Sequence, residues 1–369
     1  MRKTTAARRL TDLLPGALQG IARQLFSLIL AFLIVAVVLW VSGYNAGSVF
    51  ATLLRSFVDD FHGMLRWATP LILTGLATAV AFRARIWNIG MDGQLYIGAL
   101  TGTVVGLYVA PHLPGAVGIA LVLLVSALGG ALWALPAAIL RVRWGVPEII
   151  TTILLIQVAA LLVSWLVLGP LKGRGALGAS LSSDQIPRNL WLHPLAWHKP
   201  ATIGLYVSMV VAVFVGWYLM RSRHGFEIRT FGDNRQFSAY AGMSNRWIFV
   251  RTMMTSGALA GLAGGLELLG SMHRLPNDFA GNLGFQGVAV SLVAQNNPFA
   301  IIISGVFFGG LKNGGTSLQL YTDTPRDVVD VISAIVILVI TARVGYQLFQ
   351  RRAPHLLARF GRRRARSDA

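Results

Sequence analysis

Apolar residues in this chain gather into runs long enough to cross a lipid bilayer, and few charges interrupt them. A helix rising about 1.5 Å per residue needs about 20 residues to span a hydrocarbon core ~30 Å thick. Such runs fall at roughly 24–44, 67–83, 92–110, 115–140, 147–168, 201–220, 248–271, 283–296, 298–318 and 327–345. Charged residues make up only 12% of the 369, about half of what a soluble domain carries. The sequence thus predicts an all-α, polytopic membrane protein with about ten transmembrane helices. A basic segment, 1–23, precedes the transmembrane domain 24–345, and a basic tail, 346–369, follows it.

The location of the charge predicts the orientation. Of a formal net charge of +18, residues 1–23 supply five Lys/Arg against one Asp, and residues 343–369 supply eight Arg against one Asp. Basic residues beside a span hold it to the cytoplasmic face and meet anionic lipid, so both termini are expected in the cytoplasm and nucleic acid is not an expected partner. Arg83 with Arg85, Arg141 with Arg143, and the five Arg of 221–247 then fall on that same side. Loop 169–200, on the opposite side, carries four basic residues and one Asp and is the exception. No small-residue cleavage site follows the first apolar run, which reads as a retained anchor. With no cysteine in the chain, disulfides and thiolate chemistry are excluded.

Glycines recur four apart at 98, 102 and 106, at 257, 261 and 265, and at 305 and 309. That spacing clears one helix face for a neighbouring backbone and predicts close helix packing. Residues 88–93 (NIGMDG) are echoed by 282–287 (NLGFQG), each ahead of an apolar span. With ten helices the first copy is cytoplasmic and the second external, as an inverted-topology repeat would arrange them.

Catalytic signatures are missing. The chain has no phosphate-binding Gly-Lys, no H-E-x-x-H and no G-x-S-x-G, so no catalytic residue, metal or cofactor is expected. Uphill transport would draw on an ion gradient or on another chain. An ion-coupled carrier for a small polar solute, the alternative reading, needs acids at membrane depth. Here these reduce to Glu148, at a helix start after Pro147, and Glu267, after the glycine face of 257–265. Asn88, Gln94, Gln157 and Gln286 lie in or beside apolar spans and can bond hydroxyls without a counter-charge. Together with Glu148 and Glu267 they form the predicted translocation path. Within loop 221–247, residues 236–243 (QFSAYAGM) predict a short helix capped by Asn234 and ended by Gly242. A helix there could dock a soluble motor subunit.

At these residues the chain resembles a known family. AFRARIWNIGMDGQLYIGA (81–99) resembles the F-N-I-G-x-E-G-Q signature of permease subunits in bacterial ABC importers of the simple-sugar and nucleoside class, with Asp92 where glutamate is usual. VPEIITTILL (146–155) is similar to their N-E-V-I-x-T-I-M-L segment, and FGDNRQFSAYAGMS (231–244) to the loop that contacts the ATPase. GFQGVAVSLVAQNNPFAI (284–301) resembles their G-F-x-G-I-A-V-A-L-L-G-x-N-x-P run, although Val293-Ala294-Gln295 departs from the usual leucine-glycine. The resemblance implies a type II importer-like permease in the bacterial inner membrane. It also implies a separate ABC ATPase subunit, a second permease subunit as heterodimer partner, and an extracytoplasmic substrate-binding protein. Its long N-terminal segment looks like the larger permease of nucleoside systems whose binding proteins resemble basic membrane lipoproteins. It assigns the ATPase-coupling loop to Gly232, Asn234, Ala239, Tyr240, Ala241 and Gly242, and makes nucleosides the leading solutes ahead of simple sugars.

Overall fold

The computed structural model describes residues 32–173, 181–197 and 199–321, with isolated positions between 328 and 339. The expected span 327–345 and both basic tails thus lie largely outside the described residues. Regular structure among the described residues is helical. The β pairing there consists of single bridges such as Lys172–Ser183 and Pro194–Thr202.

The chain divides into two units, Leu53–Ser317 and a second made of Met1–Thr52 with Leu318–Ala369. In the second, α1 (Phe32–Val41) turns at Gly43, whose φ of +82° suits a residue without Cβ. It leads into α2 (Ala46–Asp59), where Phe50 meets Phe32 edge to face.

The larger unit is a helical bundle. It runs through α3 (Phe61–Arg83), α4 (Met91–Tyr108), α5 (Gly115–Trp144), α6 (Glu148–Leu168), α7 (Gly204–Arg221), α8 (Arg223–Asp233), α9 (Arg235–Tyr240), α10 (Asn245–Glu267), α11 (Leu283–Val293) and α12 (Pro298–Tyr321). Four of these, α3, α5, α6 and α7, are both long and apolar enough to cross a membrane by length and composition. Helices α4, α10 and α12 match them in length but carry more glycine and polar residues, because they pack on protein. Helix α10 packs on α3, α4, α5 and the loop helices α8 and α9, while α6 packs on α4 and α5 at the margin.

The glycine faces do what their spacing predicts. A Cβ on Gly98 would strike the backbone of Gly261, and Gly257 and Gly261 lie directly on the backbone of Gly130 in α5. Gly309 rests on the Met64 carbonyl and Ala68 of α3. Where water is absent, such backbone contact replaces the hydrophobic effect as the source of packing energy. Inside α3 the hydroxyls of Thr74 and Thr78 bond back to the carbonyls of Pro70 and Thr74, so these polar groups are satisfied within the helix.

Helix α11 is only eleven residues long, too short to span a bilayer. It runs alongside α3, with Gly287 against Thr74 and Gly75 against Val290. At its end Arg83 donates to the Asn296 carbonyl at 3.3 Å. The helix closes with a left-handed cap. Gln295 and Asn296 have φ of +53° and +57°, and their amides donate back to the carbonyls of Leu292 and Ser291. The departure from leucine-glycine falls at this cap, and Ala294 itself keeps an ordinary φ of −77°.

The two sequence echoes meet inside the bundle, neither of them at a face. The Gly284 amide donates to Asp92 Oδ1 at 2.6 Å, so both copies meet at one depth. Thr74 stands nine residues before Arg83 on α3, roughly 14 Å along the axis. The junction thus lies about half a bilayer in from the end of the bundle that carries Arg83. Loop 84–90 returns the chain inward to α4, and 273–282 does so to α11. Hydropathy counts both returns as loops at a surface, which is why the sequence placed them on opposite faces.

Candidate functional site

At one end of the bundle, α8, α9 and the start of α10 form a projecting elbow. Ser222 caps α8 by accepting from the Gly225 amide. Asn234 caps α9 by accepting from the amides of Gln236 and Phe237 at 2.9 and 3.0 Å. Gly242, at φ +76°, ends the turn, and Asn245 Nδ2 closes it by donating to the Arg235 carbonyl. Ala239, Ala241 and Gly242 are exposed. Tyr240 is 91% exposed and Phe237 58%, an apolar tip that a monomer has no reason to present to water.

The base of the elbow is fixed. Gly232 is buried with its Cα against the Arg83 carbonyl and Ala84, so it positions the elbow instead of touching a partner. Glu227 on α8 accepts from Arg251 on α10 at 2.5 Å and pairs with Arg223 at 3.4 Å. Burial would raise the Glu227 pKa, but the Arg251 hydrogen bond and charge, with His224 and Arg223, hold it below the ordinary value. A carboxylate ties the two arms together.

The predicted path residues do not share one surface. Asn88 and Gln94 are fully buried and bond each other's amides at 3.1 Å, with Asn88 also donating to Ser256. Glu148 is buried and pairs with Arg141 at 3.3 Å. Gln157 lies on the exposed face of α6 beside Leu154, Val158 and Leu161. Glu267, 2% exposed, pairs with Arg66, which also donates to Ser271 at 3.0 Å. Glu267 immediately precedes a π-helical turn, Leu268–Met272, and Ser271 lies within it.

Near that pair a second cluster forms. Lys312 of α12 donates to Gln286 Oε1 at 3.1 Å and to the Gly281 carbonyl at 3.2 Å. Its Nζ stands 5.0 Å from the Trp67 ring, which Arg66 also covers at 3.8 Å. Tyr96 donates to Asp278 at 3.3 Å. Lys312 and Asp278 are both close enough to act on the buried Asp92. Arg66, Trp67, Gln286 and Lys312 are half-buried and Asp278 is exposed. The sequence reading named only Gln286 and Glu267 from this group. A lone lysine within the apolar run 298–318 was the signal that could have found the rest.

Beyond this cluster, segment 181–192 runs along the turn after α10. The amides of Ser183, Ile186 and Leu192 donate to the carbonyls of Leu275, His273 and Leu269 at 2.8–3.0 Å. Trp191 stacks flat on His273, 3.8 Å between centroids. Burial pushes the His273 pKa below the ordinary imidazole value, a shift opposed by the Leu269 carbonyl.

Comparison with known proteins supplies what geometry cannot. The family described as "Branched-chain amino acid transport system / permease component" matches residues 60–341. The guanosine ABC transporter permease protein NupP of Bacillus subtilis is 32% identical over 86% of this chain and 92% of its own. The glucose ABC transporter permease protein TsgB13 of Haloferax volcanii is 36% identical over 73% of each chain. The nucleoside ABC transporter permease protein NupB of Lactococcus lactis is 28% identical over 86% of this chain and 90% of its own. No solved structure matches.

Proposed function

Since the chain belongs to the family of branched-chain amino acid transport system permease components, and so is a multi-pass subunit of an ABC transporter, we propose that it passes a nucleoside across the membrane. The observation that carries this solute class is the near full-length match to a guanosine permease. A simple sugar is the second reading, favoured by the 36% identity to a glucose permease. An ion-coupled carrier is disfavoured by the same relatives.

In this reading the α9 elbow lies in the cytoplasm, on the side of both termini, and docks a separate ABC ATPase through Ala239, Tyr240, Ala241 and Gly242, with Asn234 shaping the turn. The exposed apolar face of α6, Gln157 included, meets lipid or a second permease subunit. Segments 169–200 and 272–282 receive an extracytoplasmic binding protein. The basic segments 1–23 and 346–369 lie against lipid, and nucleic acid has no part. Closure of the ATPase presses on the elbow, and two links carry that motion inward. Gly232 bears on the end of α3, and Glu227–Arg251 ties α8 to α10. From Arg83 the motion reaches Asn296 and hence α11, whose far end meets Asp92. Access alternates as these half-depth segments reorient.

Replacing Ala239 with arginine tests this. ATP-dependent guanosine uptake is expected to fall to background while membrane insertion and co-purification of the second permease persist. Wild-type uptake in that variant would remove the elbow from the coupling role. Wild-type uptake that survives ATP depletion would remove the ABC mechanism itself.

A further inference from the structure

Helix α10 does not end as an α-helix. Its continuation, Leu268–Met272, is a single π-helical turn, a form that often marks a working part of a protein. One backbone group bears the consequence. In an α-helical turn the His273 amide would donate to the Leu269 carbonyl, four residues back. It donates instead to Leu268, five back, at 2.8 Å. Leu269 is fully buried, and a buried carbonyl without its helical donor needs another.

Segment 181–192, laid across the turn as a strap, supplies that donor. Leu192 gives its amide to the Leu269 carbonyl at 3.0 Å. One residue earlier, Trp191 stacks on the His273 ring, which lies beside the same carbonyl. Ile186 and Ser183 donate to the carbonyls of His273 and Leu275, so the strap follows the chain through the turn and beyond it. Apolar side chains seat it: Ile186 over Gly106 of α4, Leu190 over Gly118 of α5, and Leu192 over Gly204 of α7 and Gly270. From α3, Arg66 donates to Ser271 at 3.0 Å and pairs with Glu267.

Passing to the α register would rotate everything after the turn by about one residue, roughly 100°. The carbonyls of His273 and Leu275 would swing away from Ile186 and Ser183, and Leu269 would regain a helical donor in place of Leu192. The π turn and the docked strap therefore require each other.

The geometry points to a register latch: segment 181–192 holds the end of α10 in its π form, and lifting the segment lets the turn relax to α-helix and rotates Arg274 and Leu275. The device lies in the chain's own backbone and does not depend on which solute is carried. It gives any partner that docks on the strap a lever on α10 and, through Ser271, on Arg66 of α3.

The test uses the full-length chain in lipid nanodiscs. Because the chain has no cysteine, pairs of introduced cysteines can carry nitroxide labels for distance measurement. Val109→Cys, at the end of α4, with Arg274→Cys reports the turn; Val109→Cys with Gln185→Cys reports the strap. Leu192→Pro removes the amide, and the extended backbone of Trp191, with φ −72° and ψ 138°, already suits a following proline. Leu192→Ala loses packing but keeps the amide. Ile186→Asp places a charge under the strap and leaves the turn's own residues unchanged.

Both distances are expected to stay at the native value in Leu192→Ala. In Leu192→Pro and Ile186→Asp both are expected to move, the turn pair by about 5 Å, since a label about that far from the helix axis swings with the register. A strap pair that moves while the turn pair stays would make the segment a passive cover and overturn the latch. Neither pair moving in either variant would show that the Leu269 carbonyl needs no outside donor, and would overturn it too. An equal shift of the turn pair in Leu192→Ala would assign the register to packing instead of the amide, with the same result.

Discussion

The Asp92 carboxylate accepts a hydrogen bond from the Gly284 amide, 192 residues away, and so joins the first turns of two helices that both begin inside the bundle. A carboxylate at a helix N-terminus satisfies a free amide and opposes the helix dipole. The Phe285 amide lies beside it too. Asp92 is thus the cap of α11 supplied from another helix.

Removing that cap has a graded cost. Asp92→Ala leaves a buried amide unpaired and is expected to destabilise the subunit by about 2–3 kcal/mol. Asp92→Asn keeps an acceptor and is expected to lose about half as much. Midpoints of thermal aggregation in detergent, compared across the two variants, would show the order. Equal midpoints for Asp92→Ala and wild type would refute the cap.

Arg66 and Glu267 form a pair whose acid is fully buried. Breaking one side of such a pair costs about 3 kcal/mol or more, because the remaining charge has no partner. Arg66→Met, which strands the buried carboxylate, is therefore expected to be harsher than the double variant Arg66→Met/Glu267→Leu, in which no charge remains. A double-mutant cycle on detergent stability measures the coupling. Additive single effects would mean the two side chains act independently.

His273 makes the far end of the bundle sensitive to acid. Its folded pKa lies below the ordinary value, so the unfolded or undocked segment binds the proton more readily. Docking of 181–192 is then complete above the ordinary imidazole pKa of about 6.5, weakens as pH falls below it, and stops weakening under the depressed folded value. Hydrogen exchange at Ile186 and Leu192, followed from about pH 7.5 to 5, should rise beyond the intrinsic pH effect. His273→Asn keeps a residue suited to φ +54° and should abolish that excess.

Gln295 holds a left-handed conformation, which costs a non-glycine residue about 1 kcal/mol. Its amide bond to Leu292 needs no side chain. Gln295→Gly is expected to recover most of that cost, seen as a raised aggregation midpoint. A lowered midpoint would mean the side chain contributes more than the backbone loses.

Much of this architecture could be read from the chain. Run lengths located α3 to α7, α10 and α12 within a few residues, and Asn234 with Gly242 bounded α9 as capping chemistry requires. The depth of α11 could not, because hydropathy reports where apolar residues lie along the chain and not how far each segment penetrates. The polar set was harder still. Asn88 and Gln94 satisfy each other, whereas Gln286 meets Lys312 from another helix. Only the tertiary partner decides whether an amide is structural or open to solvent, and that partner is not written in local sequence.

The glycine contact between α5 and α10 has a mechanical consequence. Gly130 meets Gly257 and Gly261 backbone to backbone, so no side chain stands between them to swing into a second rotamer. At that crossing there is no rotamer to switch, and any added methyl group would wedge the backbones apart. These two helices are therefore expected to travel as one spar, with the strokes of the transport cycle taken up by the shorter members hinged around it.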